Sequence, residues 1–430
     1  MTHVTDTAEL ILLPSLKAQS GPRGGLVLTQ KFLNGVAQYA KTWPGRVTTL
    51  VQLRADPTSD MDHVEVMPGE TTTPLELRPA SHEALADRLR NAAAVLGFLS
   101  PREEGLAALC RSIGVPLIYT SEYSPRTEKQ IIDATFRNPL RRWRRKLWVA
   151  SAERIRRREL RLAAGVQCSG SPTYEIYRHV NPNALVFFDN RVPRANVIGE
   201  KDLVRKLEDQ ARPRPLRLVF GGRLIAMKGA RELPRVASEL KRLNVAFTLD
   251  IYGKGDLENL IKEDIVKLGL QEHVFLRGVL DFDTGWIPLL KERADLFVCC
   301  HPQGDPSSTY PEVMSCGVPI VGYDNEAFVG IVKHSGAGWL SPLNQAAPLA
   351  ALIARLDKDR AEIRNAAWKA REFAAAHTFE NTFAARINHI VKLSRLPQHV
   401  KEAHARAFTQ RGPQSSGQPI QHRLEVAQTD

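Results

Sequence analysis

Through residue 200, short apolar runs take turns with segments of helical spacing, and the same alternation then starts again. In the first half "ELILLPSL", "VTTLVQL", "AAVLGFLS" and "VPLIYTS" read as strands. Helices are predicted within "LVLTQKFLNGVAQYAKTW" and around residues 83–92 and 103–113. "AGVQCSGSPTYEIYRHV" reads as a strand leading into a helix, and "ALVFFDNRV" as the last element of this half. The polar stretch "EKDLVRKLEDQARPRP" then reads as a linker. After it, "LRLVFGGRL", "FTLDIYGKG", "VFLRGVL", "ADLFVCC" and "VPIVGYD" are strand candidates with helices between them. Strands separated by helices make parallel sheets covered on both faces. A chain of 430 residues is also too long for one ordinary core. The expected architecture is therefore α/β, with two doubly wound domains facing a central cleft. Their bounds are set at 1–200 and 201–396, with a last helix able to cross back to the first domain. Residues 397–430 are polar with few large apolar groups and read as a mobile tail.

Composition, 43% hydrophobic and 25% charged, excludes a generally disordered chain. No apolar run is long enough to span a bilayer. The apolar segment near the N-terminus has no basic region before it, which argues for a buried strand over a secretory signal. Five cysteines with no CxxC pair read as reduced core thiols of a cytoplasmic protein. The net charge of +12 is concentrated. Arg137 to Arg161 holds eleven Lys or Arg residues against two acids, Glu153 and Glu159. So dense a patch points to an anionic partner surface.

The turns of the second half carry the chemistry. In "GGRLIAMKG", Gly222 lets the backbone approach a ligand, and Arg223 and Lys228 offer two cations in one loop. As surface cations on a loop they would have no function. "YGKG", with Gly253, is a second tight turn, weak evidence by itself. In "RGVLDFDTGW" one aspartate of the pair Asp281 and Asp283 is expected to cap the next helix, and no metal is predicted there. "GDPSSTYPEVMSCGVP" places a helix start near Ser308, with hydroxyls from Ser307, Ser308 and Thr309. Free N–H groups at a helix start, with nearby hydroxyls, make a seat for a phosphate. Glu312, one turn on, suits the hydroxyls of a ribose. Taken singly, it would be an exposed first-turn acid.

Together these turns resemble the C-terminal domain of retaining, nucleotide-sugar-dependent glycosyltransferases of the group-1 type (family 4), which have the GT-B fold of two Rossmann-like domains. The matching residues are Gly222-Arg223-Leu224 with Lys228-Gly229, Gly253-Lys254-Gly255, Gly278, Ala294 to Val298, and Glu312 with Gly317-Val318-Pro319. The first half resembles the family in architecture, including a glycine-rich first turn at Gly24 and Gly25. The resemblance implies that Arg223 and Lys228 hold the donor diphosphate and Glu312 the ribose, while Arg277, Gly278 and Val279 flank the base. Gly304 stands where the family has the first of two glutamates, and Asp305 is expected to take over contact with the donor sugar. Tyr323 to Glu326 likewise replaces a Gly-Gly-x-x-Glu turn. Glu122, after "VPLIYTS", is the candidate to orient or deprotonate the acceptor.

The implied activity is metal-independent hexosyl transfer in cell-surface polysaccharide or glycoconjugate synthesis. The partners are a UDP- or GDP-linked sugar as co-substrate, no other cofactor, and a glycan or lipid-linked acceptor. Two alternatives stay open: a nucleotide-sugar epimerase of similar fold, and a non-catalytic glycan-binding scaffold. In "RNPLRRWRRKLWVASAERIRRRELRL", Arg141, Arg142, Trp143, Arg144 and Arg145 read as a face for anionic lipid, placing the protein peripherally on the inner membrane face. The competing reading is a solvated helix whose apolar stripe packs on the first domain. Nucleic acid is disfavoured because no recognised nucleic-acid module accompanies the patch.

Overall fold

The computed structural model describes residues 8–54 and 63–411. It has the two-lobed α/β architecture expected, with one sheet per lobe. The first sheet has ten strands. Its parallel part runs, side by side, Ala184–Phe187, Gly165–Ser169, Leu117–Ser121, Ala94–Phe98, Leu10–Leu13 and Val47–Leu53. Leu10–Leu13 lies near the middle, which is why its sequence "LILL" is buried at every position. Beyond Val47–Leu53 an antiparallel extension pairs Lys17–Ser20 with Leu26–Thr29 and then His63–Val66. The second sheet is all parallel, in the order Val274–Gly278, Phe247–Tyr252, Leu216–Gly221, Leu296–Cys299, Ile320–Tyr323, Gly338–Ser341. Its crossover helices bury one continuous core that includes Phe220, Phe297, Tyr310 and Phe328.

Two segments differ from the sequence reading. "EKDLVRKLEDQA" is no linker: Glu200–Ala211 is a helix with Leu203, Lys206, Leu207 and Gln210 buried. Only two of those four, Leu203 and Leu207, are apolar, and they lie four apart in a segment otherwise dominated by charge, so a helical period was present but sparse. The expected mobile tail also needs correction, because Gln398–Arg411 is helical. The rest of that tail, residues 412–430, lies outside the described residues, as do residues 1–7. The helix Phe379–Leu393 returns to the first lobe, where Phe383, Ile387 and Ile390 pack with Val36, Tyr39 and Trp43. All five cysteines are buried free thiols. No helix among the described residues is long and apolar enough to cross a membrane.

Candidate active site

Parallel strands end on one side of each sheet, so their following turns cluster there. In the second lobe three such turns interlock through the backbone. The amide of Gly222 donates to the carbonyl of Tyr252, Leu224 to Lys254, and Gly253 to Gly278, at 3.0, 2.9 and 2.7 Å. Gly253, at φ +134°, would place any Cβ 1.9 Å from the Gly222 carbonyl oxygen. Gly229, at φ +62°, would meet the Cys300 carbonyl at 1.8 Å. These glycines therefore serve close packing of turn on turn, and Gly229 presses the Lys228 loop against the end of Leu296–Cys299. Lys228 Nζ lies 2.6 Å from Asp305 Oδ2 and 3.4 Å from Ser307 Oγ. Arg223 is exposed on the same loop.

The helix expected near Ser308 spans Thr309–Ser315. Ser307 Oγ donates to Thr309 Oγ1 at 3.1 Å, so these hydroxyls gather at its start beside Lys228. Glu312 is 2% exposed, which excludes the reading as a solvated first-turn acid. Its carboxylate accepts from Arg191 Nε at 2.8 Å. The Arg191 guanidinium also lies 4.1 Å over the Phe282 ring. Asp281 Oδ1 accepts from the amides of Asp283 and Thr284, the cap that the sequence suggested.

The first lobe supplies the opposite wall. Lys31 Nζ meets Asp189 Oδ2 at 2.8 Å. Burial opposes charge on both, yet each keeps it: Lys31 holds the Asp189 carboxyl below its ordinary range, and Asp189 raises Lys31. Glu122 is shifted the other way. Burial pushes its carboxyl up, and the negative field of Asp305 from the facing lobe adds to the rise. The Tyr123 hydroxyl is raised by burial and by Glu122, while Arg223 of the other lobe acts against the rise. Arg223, Lys228 with Asp305, Glu122, Tyr123, and Lys31 with Asp189 thus share one cleft. Glu122 also lines two cavities that meet there. One, of about 440 Å³, includes Lys31, Asp189 and Arg386. The other, of about 500 Å³, includes Lys17, Arg102, Tyr123 and Trp148.

Other expected residues are placed elsewhere. Gly24 and Gly25 sit in a hairpin turn between antiparallel strands, not a strand-to-helix turn. The amides of Arg23 and Gly25 donate to Glu65 Oε1 at 2.9 and 3.1 Å, so those donors are already engaged within the lobe. Arg277 points along its strand face to Asp250 at 2.6 Å and lines a separate cavity with Arg217 and Arg293. Gly278 stays at the turn cluster through its bond with Gly253, and Val279 beside it is half exposed.

Gly304, in place of a glutamate, is occupied by the first lobe: its carbonyl accepts from Thr127 Oγ1 at 3.2 Å and its amide donates to Gln130 at 3.3 Å. A Cβ there would lie 2.7 Å from Thr127 Oγ1 and 3.0 Å from Glu326 Cβ. Glu326 itself accepts from Ser124 and Thr127 at 2.6 and 3.1 Å. Lys31, Asp189 and Arg191 were missed from the sequence. Asp189 and Arg191 follow directly on a strand end, and that position was the available signal.

The basic segment forms one helix, Pro139–Leu162. Two of its five candidate lipid-facing residues are engaged by neighbours in the same lobe: Arg142 lies 3.6 Å from Asp133, and Arg145, though exposed, stacks 4.2 Å over Phe136. Arg141, Trp143 and Arg144 are exposed.

Residues 205–373 match the family model described as glycosyl transferases group 1. The amylovoran biosynthesis glycosyltransferase AmsK of Erwinia amylovora is 30% identical over 164 residues, covering 37% of this chain and 40% of AmsK. The putative colanic acid biosynthesis glycosyltransferase WcaL of Salmonella typhimurium is 27% identical over 157 residues, 34% of this chain and 38% of WcaL. The match thus spans about two fifths of these relatives' length. Over nearly the whole fold, HepE of Anabaena, solved with UDP, superposes with a TM-score of 0.61 at 14% identity, covering 90% of this chain and 99% of HepE. The similarity to group 1 glycosyl transferases thus lies in residues 205–373, within a chain whose two lobes share the GT-B fold.

Proposed function

We propose that this protein transfers a sugar from a nucleoside-diphosphate donor to a glycan or lipid-linked acceptor, with retention, in the assembly of a cell-surface polysaccharide or glycoconjugate. The observation that carries the reading is the convergence on one cleft of Arg223, Lys228 and Asp305 from one lobe with Glu122 and Tyr123 from the other. HepE has been solved with UDP and with UDP-glucose, which favours a uridine donor. AmsK and WcaL are named for amylovoran and colanic acid synthesis, which supports a polysaccharide acceptor. Five buried thiols suit a reducing compartment.

In this reading the bond between the anomeric carbon and the diphosphate oxygen breaks as the acceptor oxygen bonds to that carbon. Negative charge gathers on the leaving diphosphate. Lys228 and Arg223 stabilise it there, with the hydroxyls of Ser307, Ser308 and Thr309 beside them and no metal needed. Lys228 moving toward phosphate releases Asp305 to the donor sugar hydroxyls. Glu312, oriented by Arg191, receives the ribose diol. Gly253, Gly278 and Val279 form the edge against the base. Glu122 accepts the acceptor's proton, and closure of the lobes excludes water.

Thermal shift with UDP and GDP tests the binding half, since a ligand of the folded state raises its melting temperature. Lys228→Ala should weaken the shift and lower turnover by about a hundredfold to a thousandfold. The anomeric configuration of the product, read by NMR, tests retention. No shift with any nucleoside diphosphate would remove the enzyme reading, and isomerised donor among the products would indicate the epimerase instead.

A further inference from the structure

The Pro139–Leu162 helix is held to its lobe by one face only. Lys146 and Arg142 reach Asp133, Arg145 lies over Phe136, and Val149, Ala152 and Arg156 are buried. Arg156 is further tied by paired hydrogen bonds to Glu128. The other face carries Leu140, Trp143 and Leu147 at helical spacing, and they are 64%, 59% and 52% exposed. The reading in which this stripe packs on the first domain is therefore overturned. Beside it, Arg137, Arg141, Arg144 and Arg154 are exposed and form no ion pair among the described residues.

An occupant must cover apolar area and neutralise arginines at the same time. An anionic bilayer does both, because the headgroup layer takes the cations while the acyl boundary takes Trp and Leu. A second copy meeting stripe to stripe would bring Arg141 and Arg144 against their own counterparts. Nucleic acid would answer the charge and leave the aliphatic groups in water. We propose that this helix docks the protein on an anionic lipid surface through Leu140, Trp143 and Leu147, flanked by Arg141 and Arg144. Trp148, 56% exposed and next to Leu147, lines the 500 Å³ cavity that also contains Glu122. Docking so arranged sets the mouth of that cavity at headgroup level, which deepens the lipid-linked acceptor reading above.

The test is flotation of the full chain with vesicles of phosphatidylcholine alone and of equal parts phosphatidylglycerol and phosphatidylcholine. Wild type should float with the anionic vesicles, lose them in high salt, and ignore the neutral ones. Arg141→Glu with Arg144→Glu, and separately Trp143→Ala with Leu147→Ala, should each cut partition by about tenfold or more while keeping the wild-type melting temperature. Wild type left unbound by anionic vesicles, or variants bound as well as wild type, would overturn the proposal. So would retention on a DNA duplex, or a concentration-dependent dimer, that these variants abolish while vesicles stay unbound. Thermal shift with UDP and GDP on the same samples separates the two readings. Vesicle binding without a shift by either nucleotide keeps the docking surface and removes the donor site, and the converse removes only the docking.

Discussion

Glu122 shows how one residue takes its chemistry from two lobes. Its carboxyl is raised first by burial and then by Asp305, which lies on the other domain. A base must be deprotonated to work, so a raised pKa moves its working range upward. The acid limb of the transfer rate should then fall above the usual glutamate value of about 4.3. Glu122→Gln should lower turnover by about a hundredfold and flatten that limb, while leaving the UDP thermal shift intact. An unchanged pH–rate profile in the variant would show that Glu122 is not the base. At this scale the cations and the helix-start hydroxyls were legible, because Arg223, Lys228 and Ser307 to Thr309 lie close together in two loops. Lys31 and Asp189 were not, because 158 residues separate a pair that closes to 2.8 Å.

Among the elements, the basic helix also works as a cap. Its Glu159, 2% exposed, accepts from the amides of Gly105 and Ala107 and from the Tyr119 hydroxyl, at 2.9, 2.9 and 2.7 Å. It therefore satisfies the free donors at the start of Leu106–Ser112 from outside that helix. Glu159→Ala leaves two buried donors and one half-buried donor without an acceptor and should cost about 2–4 kcal/mol in chemical denaturation. A loss below about 0.5 kcal/mol would mean that water takes over the cap. Alternation of apolar runs with helical spacing made most of the parallel strands of both sheets readable, but not the antiparallel extension Lys17–Ser20, Leu26–Thr29 and His63–Val66. It failed at Glu200–Ala211, where Lys206 is buried and donates to the carbonyls of Leu290 and Cys316 at 2.8 and 3.0 Å. Burial depresses that ammonium to about 8. A lysine that fills a core position by meeting carbonyls leaves no hydrophobic signature.

On the scale of the whole molecule, buried histidines set the acid side of stability. Burial lowers His301 well below its usual range, His377 to about 4, and His389 less far. The folded state refuses protons that the unfolded chain takes up below about pH 6.5. The stability these groups contribute is thus complete above that pH and is lost as pH falls toward the folded values. Each should steepen the fall by up to about 1.4 kcal/mol per pH unit. Glu122, with its raised carboxyl, acts with the opposite sign and offsets part of this. Denaturation midpoints measured from pH 8 down to pH 5 should begin to fall near 6.5, and His377→Phe should make the slope shallower by about one proton. A flat profile until the carboxylate range would show that these histidines do not control it.

The sequence alone determined two α/β lobes and the order of the glycine turns in the second, because strand and helix periodicity and turn chemistry are local properties of the chain. Only the tertiary structure decided which of those turns face the cleft. It turned Arg277 to Asp250, engaged the Gly25 amide with Glu65, and set Thr127 against Gly304. Those outcomes depend on how two lobes pack, through contacts between residues far apart in the chain.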